Sequence, residues 1–264
     1  MRIAVHHGTT ATAETAAALA AVEELARAAA GQGAELLVLP QRFLGGACRD
    51  AAAAREAAQL SDGPAARRLA AIARERRLAI LCGYVELCTG QVHDSALLVD
   101  AGGCALANYR RSHLLPGPDA ATFARGQWLT VAPLGGTKVG VLIGTDIEAP
   151  EPARALALAG TRVILVAARH EADAANVGAA VLQARAFETG CAIAYANAGS
   201  TATAPRACLV GPDGAVLAVA AEGLAVADVP VEPPEAATRR ALARRPRLYQ
   251  KLAATMPGED GPRL

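Results

Sequence analysis

The chain has few lysines, few aromatic residues and no paired cysteine motif. Only Lys138 and Lys251 are lysines, and aromatic residues make up 3% of the 264 residues. The six cysteines include no CxxC pair, so the spacing typical of a zinc or redox site is missing. The sequence therefore predicts no metal ion and no other cofactor.

A strong charge of one sign and long apolar runs are also missing. The net charge is +1, which argues against a nucleic-acid partner because such binding needs clustered positive charge. Glu23, Glu24 and Arg27 interrupt the apolar stretch at 16–30, so no membrane span is expected. The N-terminus lacks the apolar run of a signal peptide. We expect a cytoplasmic protein with reduced thiols.

Apolar residues are abundant and follow a regular pattern. They make up 53% of the chain, enough for a large core. Short strand-like runs alternate with helical patterns in the order β-α-β-α-β-β, then β-α-β-α-β-β-β, with no Ser/Gly-rich linker. This pattern predicts one domain over 1–250 with a two-sheet core and outer helices. Residues 111–130 are expected to be irregular, and 251–264 to form a loose tail.

Six segments, in this order, resemble the signatures of the nitrilase superfamily, the carbon–nitrogen hydrolases. They are GAELLVLPQRFLGG (33–46), HDSALLVDAGGCALANYRRSHL (93–114), KVGVLIGTDIEAPEPARALALAGTRVIL (138–165), QARAFETGCAIAYAN (183–197), GPDGAVLA (211–218) and RRPRLY (244–249). The resemblance covers nearly the whole chain. It implies an α/β fold, a four-layer α-β-β-α sandwich, that assembles as a homodimer or higher homo-oligomer.

The resemblance also implies a catalytic triad, and the three matching positions hold other residues. The family uses a cysteine nucleophile, a glutamate that moves protons and a lysine that stabilises the oxyanion. The glutamate position matches Gln41, the lysine position Arg111 and the cysteine position Gly144. A further glutamate of the family matches Asp119 less closely.

These replacements remove the chemistry of the family mechanism. Gly144 has no side chain, so no covalent intermediate can form on it. The amide of Gln41 accepts no proton near neutral pH. Arg111 keeps a positive charge, but its guanidinium does not act as an acid. The sequence thus favours a pseudoenzyme, inactive by the family mechanism, whose function is not catalysis.

Three hypotheses follow from this pattern. In the first, a non-catalytic homologue binds a small carboxylate or amide, or regulates an active paralogue. Its ligand-binding residues are Gln41, Arg111, Asp119, Gly144, Thr145 and Glu148. In the second, Asp119 or Glu148 activates water and Arg111 holds the oxyanion, so that a carbon–nitrogen hydrolase works by altered chemistry. In the third, the chain is a structural interaction protein.

The residues next to the lost nucleophile have structural interpretations too. Thr145 is expected to bond the backbone at the strand end. Glu148 either faces the pocket and pairs with Arg111 or Arg42, or begins a helix, where the helix dipole favours an acid. Asp146 is expected to hold the turn after the strand through backbone hydrogen bonds.

Overall fold

The computed structural model describes residues 1–8, 14–46, 48, 50–171, 174 and 176–249, so the predicted tail at 251–264 lies outside the described residues. The strands are β1 (Arg2–His7), β2 (Leu36–Val38), β3 (Ala79–Cys88), β4 (Gln91–Val99), β5 (Ala105–Arg110), β6 (Thr130–Leu134), β7 (Thr137–Ile143), β8 (Val163–Ala168), β9 (Ala192–Asn197), β10 (Ala207–Val210), β11 (Val216–Ala220) and β12 (Gly223–Asp228). The helices are α1 (Thr15–Gly31), α2 (Ala51–Ala57), α3 (Pro64–Arg76), α4 (Pro118–Thr122), α5 (Pro150–Leu158), α6 (Leu182–Thr189) and α7 (Glu235–Leu242).

The strands form two halves joined at one point. Their order is β5-β4-β3-β2-β1-β9-β8-β7-β6, with β12 beside β1, β10 beside β9, and β11 beside β10. Strands β1, β2 and β3 run parallel, and so do β7, β8 and β9. Between the halves, β1 and β9 pair only at His7 and Asn197. The carboxyl ends of both parallel groups therefore meet at the same edge.

The positions of the buried apolar clusters show how the sheets and helices are layered. Apolar side chains of both halves, such as Val38, Leu81, Val141 and Leu165, belong to one buried cluster. A second cluster lies on the outer side of β1–β4, against α1 and α3. Helices α5 and α6 cover the outer side of the other half. The result is a four-layer α-β-β-α arrangement. No helix in the described part of the chain is both long and apolar enough to cross a bilayer.

Three elements differ from the sequence-based expectation. The stretch 111–130, expected to be irregular, contains α4 and the first residue of β6. Helix α2 has no apolar periodicity, and it begins where the Asp50 side chain accepts a hydrogen bond from Ala53 N. The sequence pattern predicts one α-helix over 176–189, whereas the structure has a π-helical turn, Val177–Val181, before α6.

Gly83 positions the turn that follows β2. A Cβ atom at Gly83 would lie 2.3 Å from the Pro40 carbonyl oxygen and 2.7 Å from the Arg42 nitrogen. Only glycine allows β3 to approach this turn so closely. The glycine at position 83 therefore allows Gln41 and Arg42 to lie at the carboxyl ends of the strands.

Candidate functional site

The site lies at the carboxyl ends of β2, β7 and β8. The backbone nitrogen of Gln41 donates to the Ala168 carbonyl at 3.2 Å, which joins the end of β2 to the end of β8. Parallel pairing brings Ile143, the last residue of β7, beside Ala167 of β8. Gln41 and Gly144 thus follow neighbouring strand ends, where ligands commonly bind in layered α/β folds.

Asp146 holds the turn after β7, and it is fully buried. Its carboxylate accepts hydrogen bonds from the backbone nitrogens of Ile143 at 3.1 Å and His113 at 2.8 Å. It also accepts from the Tyr109 hydroxyl at 2.8 Å. These bonds fix the end of β7 against the segment that carries Arg111. The histidine ring contacts the same carboxylate at 2.8 Å, and this hydrogen bond raises the pKa of His113.

Gly144 faces the side chains of Gln41 and Arg111. Its φ is +49°, in the left-handed region that favours glycine. A Cβ atom at Gly144 would lie 2.9 Å from Gln41 Oε1 and 3.5 Å from both Cζ and Nε of Arg111. The structure therefore brings together the three residues expected at the triad positions, around a gap so narrow that a Cβ atom at Gly144 would displace the Gln41 side chain.

Two buried arginines share two carboxylates beside this space. Nη1 of Arg111 lies 2.6 Å from Asp119 Oδ2 and 3.4 Å from Asp94 Oδ2. Arg42 lies 3.2 Å from Asp119 Oδ1 and, through Nε, 3.9 Å from Asp94 Oδ2. Gln41 Nε2 donates to Asp94 Oδ2 at 2.5 Å. Five side chains thus form one polar network, and we call it the arginine–aspartate network.

Burial and the neighbouring arginines shift the pKa values of the two aspartates in opposite directions. Asp94 is fully buried, and desolvation raises its pKa against the opposing effect of Arg42 and Arg111. Desolvation also acts on Asp119, but the two arginines outweigh it and lower the pKa of that carboxyl. Asp119 is therefore a weak proton acceptor at neutral pH.

Arg42, a member of the arginine–aspartate network, has a strained backbone conformation. Its φ is +52°, which is uncommon for a residue that is not glycine. Such strain tends to occur at functional sites. The guanidinium also lies 5.2 Å from the centre of the Phe123 ring, which adds a cation–π contact.

Glu148 pairs with a histidine and not with either arginine of the network. Its Oε1 lies 3.3 Å from Nε2 of His170, which lowers the pKa of Glu148. Nδ1 of His170 is 2.9 Å from the Tyr195 hydroxyl. The sequence pattern predicts that Glu148 either pairs with Arg111 or Arg42 or begins a helix. Its carboxylate does pair with a side chain, but the partner is His170, which follows β8.

Among the residues that the structure describes, no side chain near Gly144 is placed as an activated nucleophile. The Thr145 hydroxyl donates to the His113 carbonyl and accepts from Arg111 Nη2 at 2.8 Å. Cys82 lies in the core cluster against α1 and α3, and burial raises its pKa. Cys48 is close enough to interact with Arg42, but burial raises the pKa of its thiol too.

Several buried polar atoms of the site have no hydrogen-bond partner among the described residues. They are Nε of Arg42, Nε of Arg111 and Oδ1 of Asp94. Buried polar groups are normally paired, so such a concentration indicates a place for water or a ligand. The described residues contain no group of three or more His, Cys, Asp or Glu side chains that could hold a metal ion.

Sequence reasoning did not find Asp94 or His170 and considered Arg42 only as a partner of Glu148. The signals were available. Asp94 is a charged residue just before the apolar run at 96–99, and His170 follows the end of a buried strand. Their roles become clear only in the fold, where Asp94 lies beside the two arginines of the network and His170 lies beside Glu148.

Comparisons with known proteins agree with this architecture. The carbon-nitrogen hydrolase family model matches residues 2–237. A Pseudomonas protegens protein described as "Hydrolase in pqqF 5'region" is 40% identical over 231 residues, which is 83% of this chain and 81% of the relative. An (R)-stereoselective amidase of Pseudomonas sp. is 37% identical over 132 residues, 50% of this chain and 47% of that protein.

Solved structures give the same result. The amidase from Nesterenkonia sp. AN1, as a double mutant with glutamate changed to glutamine and cysteine to alanine, in complex with acrylamide, is 30% identical. It superposes with a TM-score of 0.81 over 96% of this chain and 97% of its own. A cysteine-to-alanine mutant in complex with butyramide gives a TM-score of 0.80 at 29% identity, over 94% and 95% of the two chains.

Proposed function

Because this chain belongs to the carbon–nitrogen hydrolase family, we propose that Gly144 takes the place of the family's nucleophile and that the chain binds a small primary amide without hydrolysing it. The predicted family and four-layer fold are confirmed by the family match and the amidase structures. The observation that carries the proposal is the pair of hydrogen-bonding groups, Gln41 Oε1 and Arg111 Nε, that face the narrow gap at Gly144.

The hydrogen-bonding groups around that space fit an amide better than a carboxylate. Nε of Arg111 is a buried donor without a partner, so it suits the carbonyl oxygen of an amide. Gln41 Oε1 is an acceptor, so it suits the amide NH₂ group. The Gln41 side chain is fixed in this orientation because its Nε2 donates to buried Asp94. A carboxylate in the same place would bring a negative oxygen against Gln41 Oε1.

The solved amidase complexes support this proposal. A mutant of the Nesterenkonia amidase with glutamine for glutamate and alanine for cysteine is in complex with acrylamide. This chain carries glutamine at 41 and has no side chain at Gly144. Amide binding is thus compatible with the loss of both groups in a related protein.

The altered hydrolysis that sequence reasoning considered is less well supported. Asp119 is held by Arg42 and Arg111, and Glu148 by His170. The pKa of each carboxyl is lowered, which weakens it as a base toward water. Neither carboxylate is therefore placed as an efficient general base.

Calorimetric titration with butyramide, combined with an ammonia assay, tests the proposal. We expect saturable binding to the natural chain and no ammonia release. Gly144→Leu fills the proposed amide site with a four-carbon side chain and should weaken binding at least about tenfold. Gly90→Leu is the matched control, since Gly90 also has a positive φ but open space around it. Absence of binding by the natural chain, or equal binding by both variants, would contradict the proposal.

A further inference from the structure

Asp119 makes the same contacts that a bound carboxylate would make. Its two oxygens bridge two guanidinium groups, with Oδ2 2.6 Å from Arg111 and Oδ1 3.2 Å from Arg42. Both arginine side chains are more than nine-tenths buried, and neither Nε donates a hydrogen bond within the described residues. Paired guanidiniums of this kind recognise carboxylates through charge-assisted hydrogen bonds. The contacts therefore define an anion subsite that a side chain of the chain itself fills.

Of the two carboxylates in the network, Asp119 is the one that can leave. Asp94 is fully buried on β4, whereas the Asp119 side chain is 33% exposed on α4. Helix α4 is only five residues long and has no buried residue. The first turn of α4 is thus held to the body of the protein by Asp119, whereas Phe123, at the C-terminal end of α4, is buried in a core cluster. Segments with so little buried surface open at low free-energy cost.

We propose that Arg42 and Arg111 form a binding subsite for small carboxylate anions, and that Asp119 occupies it until such an anion takes its place and releases α4. The exchange conserves charge, because one carboxylate replaces another on the same two arginines. It makes and breaks no covalent bond. The subsite shares Arg111 with the amide position at Gly144, but it uses Nη1 of that arginine and does not rest on the proposed function.

Hydrogen–deuterium exchange of the backbone amides in the natural chain tests directly whether acetate displaces Asp119. Acetate should speed amide exchange in α4 severalfold, at Ala121 and Phe123, whose nitrogens bond the carbonyls of Gly117 and Asp119. Chloride at equal ionic strength controls for screening of the ion pairs. Unchanged or slower exchange of α4 in acetate would overturn the proposal. Butyramide binding, measured separately, decides the amide proposal.

A thermal-unfolding series with acetate gives the second test. Asp119→Ala empties the subsite and lowers Tm, and acetate should restore part of the loss. Its apparent Kd for acetate should be at least about tenfold lower than that of the natural chain, where Asp119 competes. Asp119→Asn still fills the space, so its Tm should not respond to acetate.

The control variant is Glu24→Ala, which removes an acid from an exposed pair with Arg27. Its Tm should be insensitive to acetate. Equal acetate responses of the three variants would reveal a general salt effect and overturn the proposal. If Asp119→Ala does not fold, the exchange measurement on the natural chain decides alone.

Discussion

Removing the Asp94 carboxylate should destabilise the protein strongly. Asp94 is fully buried, it accepts from Gln41 at 2.5 Å, and Arg111 and Arg42 lie 3.4 and 3.9 Å away. Asp94→Ala leaves two buried guanidiniums with only Asp119 as a counter-charge. Breaking a buried ion pair by deleting one partner costs about 3–5 kcal/mol.

We expect the lower end of that range, because each arginine keeps its contact with Asp119. A loss of about 3 kcal/mol is a large part of the roughly 5–15 kcal/mol that stabilises a typical domain. It corresponds to a fall in Tm of about 6–12 °C. Asp94→Asn keeps the shape and an acceptor for Gln41, so it should lose less than the alanine variant.

Urea unfolding measures these losses. The matched control is Asp228→Ala, which removes an exposed partner of Arg2 at 2.7 Å. Exposed pairs contribute about 0–1 kcal/mol. If Asp94→Ala costs no more than Asp228→Ala, the two arginines do not depend on Asp94 and the reasoning about the network is refuted.

Three further predictions concern single side chains. Gly144→Ala should lower the free energy of unfolding by about 1–2 kcal/mol because of the left-handed backbone, and by a further amount because the methyl group is crowded. Gly90→Ala should show only the backbone loss, and urea unfolding measures both variants. Equal losses in the two variants would show that crowding at Gly144 contributes nothing. Burial lowers the pKa of His6 to about 4, so unfolding free energy should fall as pH drops from 6.5 to 4, by at most roughly 3 kcal/mol. His6→Gln should flatten that pH profile, and an unchanged slope would assign it to other groups. Thr145→Val leaves Arg111 Nη2 without its 2.8 Å partner and should cost about 1–3 kcal/mol in the same unfolding assay; no loss would contradict this.

Much of the fold was predictable because its strands are apolar runs with clear ends. The strand ends at Ile143 and Ala168, for example, follow directly from the sequence pattern. Helices α2 and α4 were not predictable in this way. They are short, and each begins through a local feature, the Asp50 cap or Pro118, and not through apolar periodicity.

The site was predictable only in part. The family motifs singled out Gln41, Arg111 and Gly144, and the structure brings these residues together. The network around them depends on contacts between residues far apart in the chain, such as Asp94 with Gln41 and Asp119 with Arg42. Such pairs have no sequence spacing that marks them, since only the folded sheet edge makes them neighbours.

The most direct test of the central claim is ammonia release from butyramide by the natural chain and by a variant that carries Gln41→Glu, Arg111→Lys and Gly144→Cys. The account predicts that the natural chain binds butyramide without releasing ammonia. It predicts turnover by the variant that is lost on treatment with a thiol reagent. Ammonia release by the natural chain, insensitive to thiol reagents, would contradict the account.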